Sequence, residues 1–189
     1  MLEKVSRRGL VLGFSACAAG LLLPRRAHAG LARPIALPEL VRTSRHSVVG
    51  IPREAFSRWE VIGRGRRIVT HTRLGVDRLV SGAQVPDGEL WVRTLGGRVG
   101  NIGQVVEGEA VLRLGERALV FVTPSPDSVL HVTALAQGHY PLRVDSAGVE
   151  RLLPSPRLSA LLKGEQSAVR TLVGRKLVEA IDLVQQAGR

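Results

Sequence analysis

The sequence predicts a mainly β protein, organised as a small closed or partly open barrel with a short N-terminal helix and C-terminal amphipathic helices. Three observations predict this architecture. Short stretches in which apolar and polar residues alternate, as in half-buried strands, recur between residues 47 and 145. Turns rich in glycine, proline and aspartate separate these stretches, as in small barrels and sandwiches. After Ser167 the apolar residues instead recur with the period of a helix.

The first predicted elements are a short helix and two long strands. Residues 37–41 predict one or two helical turns, with a proline in the first turn, where its missing N–H is not needed. Residues 47–62 predict a first strand, and Gly50 and Pro52 interrupt it, which is typical of an edge or a bulge. After a glycine-rich turn, residues 66–80 alternate between two faces and predict a second, half-buried strand.

Five further strands are predicted in the middle of the chain. They cover residues 89–95, 110–114, 118–123, 128–137 and 139–145. The strand that begins at Ala118 is apolar on both faces, so it needs a covering element outside the sheet. We expect a C-terminal helix to provide that cover.

The C-terminal segment predicts two helices. Ser155 and Pro156 have the residue types of an N-cap and a first helical position, and Gly164 would end that short helix. A second helix is predicted from Ser167 onward, with an internal Gly174 that costs it about 1 kcal/mol relative to alanine. Its apolar stripe predicts a helix packed on the core, and the alternative is a helix for a membrane surface or a partner.

The first 29 residues predict an export signal. A basic stretch with Arg7 and Arg8 precedes a short apolar run, and Ala27 and Ala29 form a small-x-small cleavage pattern. The paired arginines resemble the twin-arginine export motif, and an ordinary secretory signal is the alternative. We therefore expect a periplasmic or secreted protein with no transmembrane helix after removal of the signal.

This signal divides the chain into three parts: the signal itself (1–29), a barrel domain (30–150) and a C-terminal helical segment (151–189). Cys17 is the only cysteine, and it lies in the apolar run of the signal. After cleavage the chain then has no disulfide, no cysteine nucleophile and no cysteine-ligated metal. In the alternative reading, Cys17 belongs to a degenerate lipobox and anchors the protein through a lipid.

Charge and aromatic content limit the kinds of partner. The net charge of +11 lies partly in the signal, and the remainder predicts affinity for anionic surfaces or acidic proteins. A general preference for arginine over lysine is the alternative explanation. Aromatic residues make up only 3% of the chain, and several are expected in the core, so stacking on bases or sugars is not favoured. We predict no nucleic-acid partner.

A glycine-rich loop, residues 96–104, follows the third strand. It does not fit a nucleotide-binding loop, because a strand and not a helix follows the glycines. Its bare amides and polar side chains predict a site for an anion, a carboxyl terminus or an extended peptide, and a purely structural loop is the alternative. The candidate binding residues are those of the loop and of an arginine-rich hairpin: Gly96, Gly97, Arg98, Gly100, Asn101, Gly103, Gln104, Arg64, Arg66 and Arg67.

Four histidines follow the signal, His46, His71, His131 and His139, and none has the close spacing of metal ligands. His71 and His131 fall on the polar faces of predicted strands, which would bring them together if those strands are neighbours. We expect surface histidines and predict no metal site and no cofactor. Neither a serine-hydrolase elbow nor a zinc-protease motif occurs, so no catalytic residue is assigned.

Residues 114–122 resemble a strand motif of netrin-like domains, and Ser47-Val48-Val49-Gly50 follows a short helix as in that family. The family includes the inhibitor domains of tissue metalloprotease inhibitors, so the resemblance implies an OB-like barrel with flanking helices. Those inhibitors use an N-terminal cysteine as a zinc ligand, which this chain lacks after its signal, so their inhibitory mechanism is not implied. The glycine loop also resembles a G-G-x-V-G-x-x-G-Q pattern of exported bacterial proteins, which supplies no function.

The sequence thus favours an exported, non-enzymatic binding or interaction module of the cell envelope. Its expected partner is an envelope or secreted protein, with an anionic surface as a further possibility. Two alternatives remain open: an inhibitor or accessory protein of a secreted peptidase, and a hydrolase whose acid–base pair is not identified.

Overall fold

A computed structural model describes residues 33–158 and 166–189. The predicted export signal, with Arg7, Arg8, Ala27 and Ala29, lies outside the described residues, and so does most of the helix predicted between Pro156 and Gly164. In the described ranges the protein is mainly β with helices near both ends, which confirms the predicted fold class. None of the described helices is long and apolar enough to cross a membrane.

The described residues contain nine strands and three α-helices. In chain order they are α1 (Leu37–Thr43), β1 (His46–Ile62), β2 (Gly65–Gly82), β3 (Glu89–Leu95), β4 (Gly97–Val99), β5 (Ile102–Gln104), β6 (Ala118–Pro124), β7 (Leu130–Val132), β8 (His139–Val144), β9 (Glu150–Leu152), α2 (Ala168–Leu172) and α3 (Leu177–Ala187).

Five strands close into a ring. β1, β2, β3, β7 and β6 pair in that order, and β6 pairs back with β1. Only the β3–β7 pair is parallel, and the other pairs of the ring are antiparallel. This is the connectivity of an OB-like Greek-key barrel, as the sequence predicts. β8 and β9 extend the sheet from β6, outside the ring.

The two longest strands extend past the barrel. β1 pairs with β6 only as far as Gly50, whereas its pairing with β2 continues to the turn at Gly63. β2 in turn pairs with β3 only over Val69–Gly75. The remainder, residues 55–68, forms a two-stranded projection that we call the arm.

The core has two layers that share β6. Val120 and Val122 point into the barrel, where they pack with Val48, Leu74 and Val92. The alternate residues of β6 face the other way and pack against all three helices; this second layer includes Leu119, Phe121, Leu40, Leu172 and Ile181. The predicted helical cover of this doubly apolar strand is therefore confirmed. Full burial of a side chain such as Phe121 stabilises the fold by roughly 2 kcal/mol.

Two of the predicted strands are wrong, because one is absent from the structure and the other is shorter than predicted. Residues 110–114 form no strand, although Ala110 and Leu112 pack with the residues inside the barrel. The strand predicted over residues 128–137 is reduced to β7, because Ala134 and Leu135 adopt positive φ angles (53° and 58°) that end the extended backbone. Gly138 follows in a short 3-10 turn, and a Cβ there would collide with the carbonyl oxygen of Thr133.

The continuous helix predicted after Ser167 is also wrong. Ser167 does cap a helix, since its hydroxyl accepts a hydrogen bond from the amide of Arg170. The helix ends at Leu172, however, and Gly174 has a φ of +82°. The linker then pairs with β9, which the sequence did not predict: the amide of Gly174 donates to Leu152 O (2.8 Å), and the amide of Leu152 donates to Arg175 O (3.0 Å). These backbone bonds to β9 explain the break.

Replacing Gly174 with alanine distinguishes one continuous C-terminal helix from two helices, α2 and α3, with a break between them. A continuous helix would be stabilised by about 1 kcal/mol, whereas the left-handed backbone seen at Gly174 should make Gly174→Ala destabilising by about 1 kcal/mol. Urea unfolding measures the sign. Gly65→Ala is the matched control, because Gly65 is also free of neighbours but does not have a positive φ. A stabilised Gly174→Ala variant would contradict the break between α2 and α3.

Candidate functional site

The glycine loop is a small β-hairpin that lies on the base of the arm. β4 and β5 pair across a turn at Gly100 and Asn101. We call residues 96–104 the glycine ribbon. It lies on the face of the arm that carries Ser57 and Thr70, and a Cβ on Gly97 would collide with both of their hydroxyls.

Three of the predicted loop residues hold the ribbon in place. The carbonyl oxygen of Gly96 accepts a hydrogen bond from the Thr70 hydroxyl (2.8 Å). Gln104 Oε1 accepts one from the backbone amide of Ile68 (2.8 Å). Gly97 is needed for close approach, because it has a φ of +133° and no room for a side chain. The structure therefore gives Gly96, Gly97 and Gln104 a packing role.

The other predicted ribbon residues face solvent. Arg98, Gly100, Asn101 and Gly103 are all exposed. The Arg98 guanidinium donates to the carbonyl oxygen of Gly100 (3.0 Å), which directs the side chain along the ribbon's own turn. These residues present one guanidinium, one carboxamide and backbone groups to the surroundings.

The arm carries the three predicted arginines, but on different faces. Arg66 stacks on Trp59, with its guanidinium carbon 5.4 Å from the ring centroid. Trp59 lies two residues from Ser57, so this pair shares the ribbon's face of the arm. Arg67 lies on the opposite face, because successive side chains alternate, and Arg64 is at the exposed turn.

We call the exposed part of this side the ribbon face: Trp59, Val61 and Arg66 from the arm with Arg98, Asn101 and Ile102 from the ribbon. The structure thus brings together the glycine loop and one of the predicted arm arginines, Arg66. It also adds apolar groups that the sequence did not assign. Val61 is 73% exposed and Ile102 is 51% exposed.

Two of the aromatic side chains that the structure describes fill the core, and three do not. Phe121 and Tyr140 are buried, but Phe56, Trp59 and Trp91 are exposed. Phe56 and Trp91 lie on the outer face of β1 and β3, with ring centroids 5.7 Å apart.

A pocket of about 310 Å³ opens beneath the glycine ribbon, and we call it the ribbon pocket. It lies at the end of the barrel, between the ribbon and the irregular segment after Glu109. Thr72, one of the residues that line it, is only 1% exposed, and its buried hydroxyl makes no hydrogen bond. Its wall includes these residues: Thr70, Thr72, Thr94, Leu95, Gly96, Gly97, Arg98, Gly103, Gln104, Val105, Ala110, Val111, Leu112 and Arg157.

The outer face of the barrel carries an ionic network. Glu60 accepts hydrogen bonds from His71 (2.7 Å) and Arg58 (2.7 Å), and Arg93 bridges Glu60 (3.3 Å) and Asp127 (2.7 Å). Burial raises the pKa of Glu60, but the bonds from His71 and Arg58 outweigh it and leave that pKa below its usual value. The hydrogen bond from Arg93 holds the pKa of Asp127 well below its ordinary range.

His71 and His131 do share this outer face, as predicted for polar faces of neighbouring strands. They are not adjacent, however, because Arg93 pairs with His71 on one side and with His131 on the other. The described residues contain no group of three potential ligands that would hold a metal. The expected surface position is wrong for His46, His71 and His139, all of which are buried.

His139 is held inside by Ser155, whose hydroxyl lies 2.9 Å from the ring Nδ1. Burial lowers the pKa of His139 to about 4, so the ring is neutral at pH 7. Ser155 was predicted to cap a helix, and in the structure its hydroxyl instead binds this histidine.

A second pocket, of about 280 Å³, lies next to the ionic network. We call it the acid pocket because Glu109, which the sequence analysis did not single out, forms part of its wall. The carboxylate of Glu109 accepts amide hydrogen bonds from Leu95 (3.2 Å) and Ala110 (3.0 Å), but burial raises its pKa. The one signal for Glu109 was its position in an otherwise apolar stretch, Glu109-Ala110-Val111-Leu112.

His131 and Ser125 also contribute to the acid pocket, and the Nδ1 atom of His131 is buried without a partner. Burial, and then the charge of Arg93, lower the pKa of His131. The hydroxyl of Ser125 lies within hydrogen-bond distance of Asp127 Oδ1 and of Val129 O, and its single proton goes to one of these two acceptors. Its proton is therefore directed away from His131, so the pocket does not contain the serine–histidine bond of an activated nucleophile.

Neither a protein family, a curated protein nor a solved structure was found that matches this chain.

Replacing Thr72 with valine tests its unpartnered hydroxyl. Because this buried group makes no hydrogen bond, Thr72→Val should raise the free energy of unfolding by about 1 kcal/mol. Thr133 is the matched control, since it is equally buried but its hydroxyl binds Ser44 (2.9 Å). Thr133→Val should therefore lower the same quantity by about 1 kcal/mol. Both values come from urea unfolding, and a loss of stability in both variants would show that the Thr72 hydroxyl has a partner.

Glu109 should make stability depend on pH. Its folded-state pKa is raised above the unfolded value of about 4.5, so the folded state binds the proton more tightly. The stability that Glu109 contributes is therefore fully present below about pH 4.5 and is lost as the pH rises through the raised pKa of the folded state. The wild-type protein should therefore lose stability relative to Glu109→Gln above about pH 4.5.

This difference is measured by urea unfolding at a series of pH values. Glu107→Gln removes a negative charge from an exposed position two residues away and is the matched control. A wild-type advantage over Glu109→Gln that grows as the pH rises would contradict the buried acid.

Proposed function

We propose that this chain is an exported, non-enzymatic binding module of the cell envelope, and that the ribbon face is its contact surface. The observation that carries the proposal is an exposed tryptophan stacked with an arginine, Trp59 with Arg66, on the same face as the glycine ribbon. Tryptophan and arginine are the residues most enriched among those that dominate binding energy at protein interfaces.

The chemistry of the ribbon face favours an acidic protein partner with an apolar anchor. Arg66 and Arg98 supply positive charge, and Val61 and Ile102 supply exposed apolar area beside them. Burial of such apolar groups gives affinity, whereas the arginines give orientation and a faster encounter with an acidic surface. The positive net charge of the chain has the sign that attracts such a partner.

The rigid base of the ribbon also supports a binding role. Gly96, Gly97 and Gln104 tie the ribbon to the arm, so its exposed turn is held in place before a partner arrives. A surface that is ordered in advance loses less conformational entropy on binding. The polar residues Arg98 and Asn101 are thereby presented at fixed positions next to Trp59.

The two other candidate functions have different support. An inhibitor or accessory protein of a secreted peptidase would use the same surface, and the netrin-like resemblance stays a prediction. A hydrolase has one observation in its favour, because Glu109 and His131 both line the acid pocket. The direction of the Ser125 hydroxyl supports binding over acyl transfer at that place.

Capture of a partner from envelope extract tests the proposal. The immobilised chain should retain one protein through a high-salt wash, because salt screens the charges of the ribbon face but does not weaken its apolar contacts. Trp59→Ala and Arg66→Gln should each lose it. Trp91→Ala and Arg67→Gln are matched controls, since they remove an exposed tryptophan and an arginine from the opposite face.

The outcomes separate the candidate functions. If Trp91→Ala loses the partner and Trp59→Ala retains it, the outer face and not the ribbon face is the contact surface. A captured peptidase whose activity falls when the chain is added would favour the inhibitor. Hydrolysis by the purified chain in metal-free buffer, lost in His131→Gln, would overturn the binding proposal in favour of a hydrolase.

A further inference from the structure

The two edges of the arm differ in what covers them. Along β2, the carbonyl oxygen of Ile68 accepts a hydrogen bond from the amide of Gly96 (2.8 Å), and the amide of Ile68 donates to Gln104 Oε1 (2.8 Å). Along β1, the amide of Gly115 donates to Pro52 O (2.9 Å). Beyond Pro52, none of the described residues bonds to the edge of β1 that faces away from β2, which we call the free edge.

The strand register shows which backbone groups lie on the free edge. Ile68 lies opposite Trp59 in the β1–β2 pair. In an antiparallel pair, opposite residues either exchange both hydrogen bonds or both point away from each other. Because the backbone of Ile68 points to the ribbon, the N–H and C=O of Trp59 point to the free edge. Alternation along β1 puts the same groups of Ala55, Ser57 and Val61 there too.

Nothing in the sequence of this edge prevents another strand from pairing with it. Sheets commonly protect an exposed edge with lysine, proline or a bulge. Residues 55–62 contain neither lysine nor proline, and the register of β1 and β2 runs without a shift from Glu54 to the turn. Phe56, Trp59 and Val61 are exposed along it. An added strand would therefore gain both main-chain hydrogen bonds and apolar contacts.

The strand that fits this edge best is a second copy of itself. Two copies related by a twofold axis pair antiparallel, with outward-pointing residues opposite each other. If the axis passes at Trp59, Arg58 of each copy lies opposite Glu60 of the other, which gives two pairs of opposite charge across the junction. Phe56 then lies opposite Ile62, and aromatic–β-branched pairs also stabilise neighbouring strands.

The neighbouring registers lack this complementarity. Moving the axis by one residue sets Arg58 opposite Arg58, or Glu60 opposite Glu60, and like charges directly opposite each other destabilise a sheet. An axis at Ser57 or earlier brings the added strand to Pro52, where the segment at Gly115 already covers the edge. Charge and the length of the free edge thus favour the register with Trp59 on the axis.

We propose that the arm pairs with the arm of a second copy of this chain along the free edge, with Trp59 at the twofold axis. The resulting homodimer joins the two arms into one continuous sheet. Because the axis is perpendicular to that sheet, both ribbon faces lie on the same side and form one larger surface. The dimer does not rest on the proposed function, since it needs only β1 of each copy.

Sedimentation velocity of the full chain over a range of concentrations tests the dimer. A single pair of strands is a small interface beside the roughly 1,600 Å² of a standard one, so we expect a reversible equilibrium. Its dissociation constant should be on the order of 10 μM, which is measurable between about 1 and about 200 μM.

A charge reversal on the free edge assigns the interface. Arg58→Glu sets like charges opposite each other twice and should weaken the dimer at least about tenfold, less so at high salt. Arg67→Glu is the matched control and should leave the dimer intact. It also puts a carboxylate beside Glu60 of its own chain, but on β2, away from the free edge. Circular dichroism confirms that both variants are folded.

A distance between spin labels tests the register. The label is attached at Ala55→Cys in a Cys17→Ser background, because Cys17 is the one cysteine of the chain. In the proposed register Ala55 lies opposite Gly63 of the second copy, so the labelled positions are about eight residues, or about 27 Å, apart. An axis at Arg58 would bring them to about 20 Å.

Three results would overturn the proposal. One is a monomer at every concentration, which would leave the free edge to another segment or partner. Another is a dimer that Arg58→Glu does not weaken, and the third is a label distance of about 20 Å or less. Arg66→Gln should lose the captured partner and keep the dimer, since Arg66 lies on β2. The dimer and the partner-binding function can therefore fail separately.

Discussion

The structure depends on β1 pairing with two strands at once. Its first five residues, from His46 to Gly50, pair with β6 on one edge and with β2 on the other, and this closes the ring. The register then shifts at Gly50, where a Cβ would lie 2.5 Å from the carbonyl oxygen of Gly75. This close approach is possible only without a side chain. Beyond Gly50, β1 extends past the barrel together with β2, and the two strands form the arm. The closed ring and the arm therefore both depend on one irregular strand, β1.

The arm in turn determines where the glycine ribbon lies. Its base offers the hydroxyls of Ser57 and Thr70 and the backbone of Ile68, and the ribbon is bound to these groups. The ribbon pocket lies between the ribbon, β2, β3 and the irregular segment after Glu109. Gly96, Gly97 and Gln104, which hold the ribbon on the arm, are buried or half-buried, whereas Arg98 and Asn101 are exposed.

Three departures from ordinary packing lie beside β3. Thr72 has an unpaired hydroxyl there, Glu109 is a buried acid without a cationic partner, and His131 has a buried nitrogen without a bond. Each of these costs stability, and so does the hydroxyl of Tyr140, which is buried beside Phe121 in the helical layer and also makes no hydrogen bond. Proteins keep such costly groups mainly at functional sites, which is why the two pockets on either side of β3 are of interest.

The alternation of apolar and polar residues and the positions of turn residues determined the fold class and the glycine-rich loop that forms the ribbon. They also determined, to within a few residues, the bounds of five strands: β1, β2, β3, β6 and β8. These features could be predicted because they depend on local backbone preference. The break at Gly174, the loss of the strand at residues 110–114 and the exposure of Trp59 followed from pairing and packing between distant segments. The candidate site shows the same division, because its glycines and arginines could be named from the sequence but their arrangement could not. Only the tertiary structure decided which of them hold the ribbon, which face solvent and which share a pocket with Thr72 and Arg157, because strand pairing and the packing of distant loops bring those residues together.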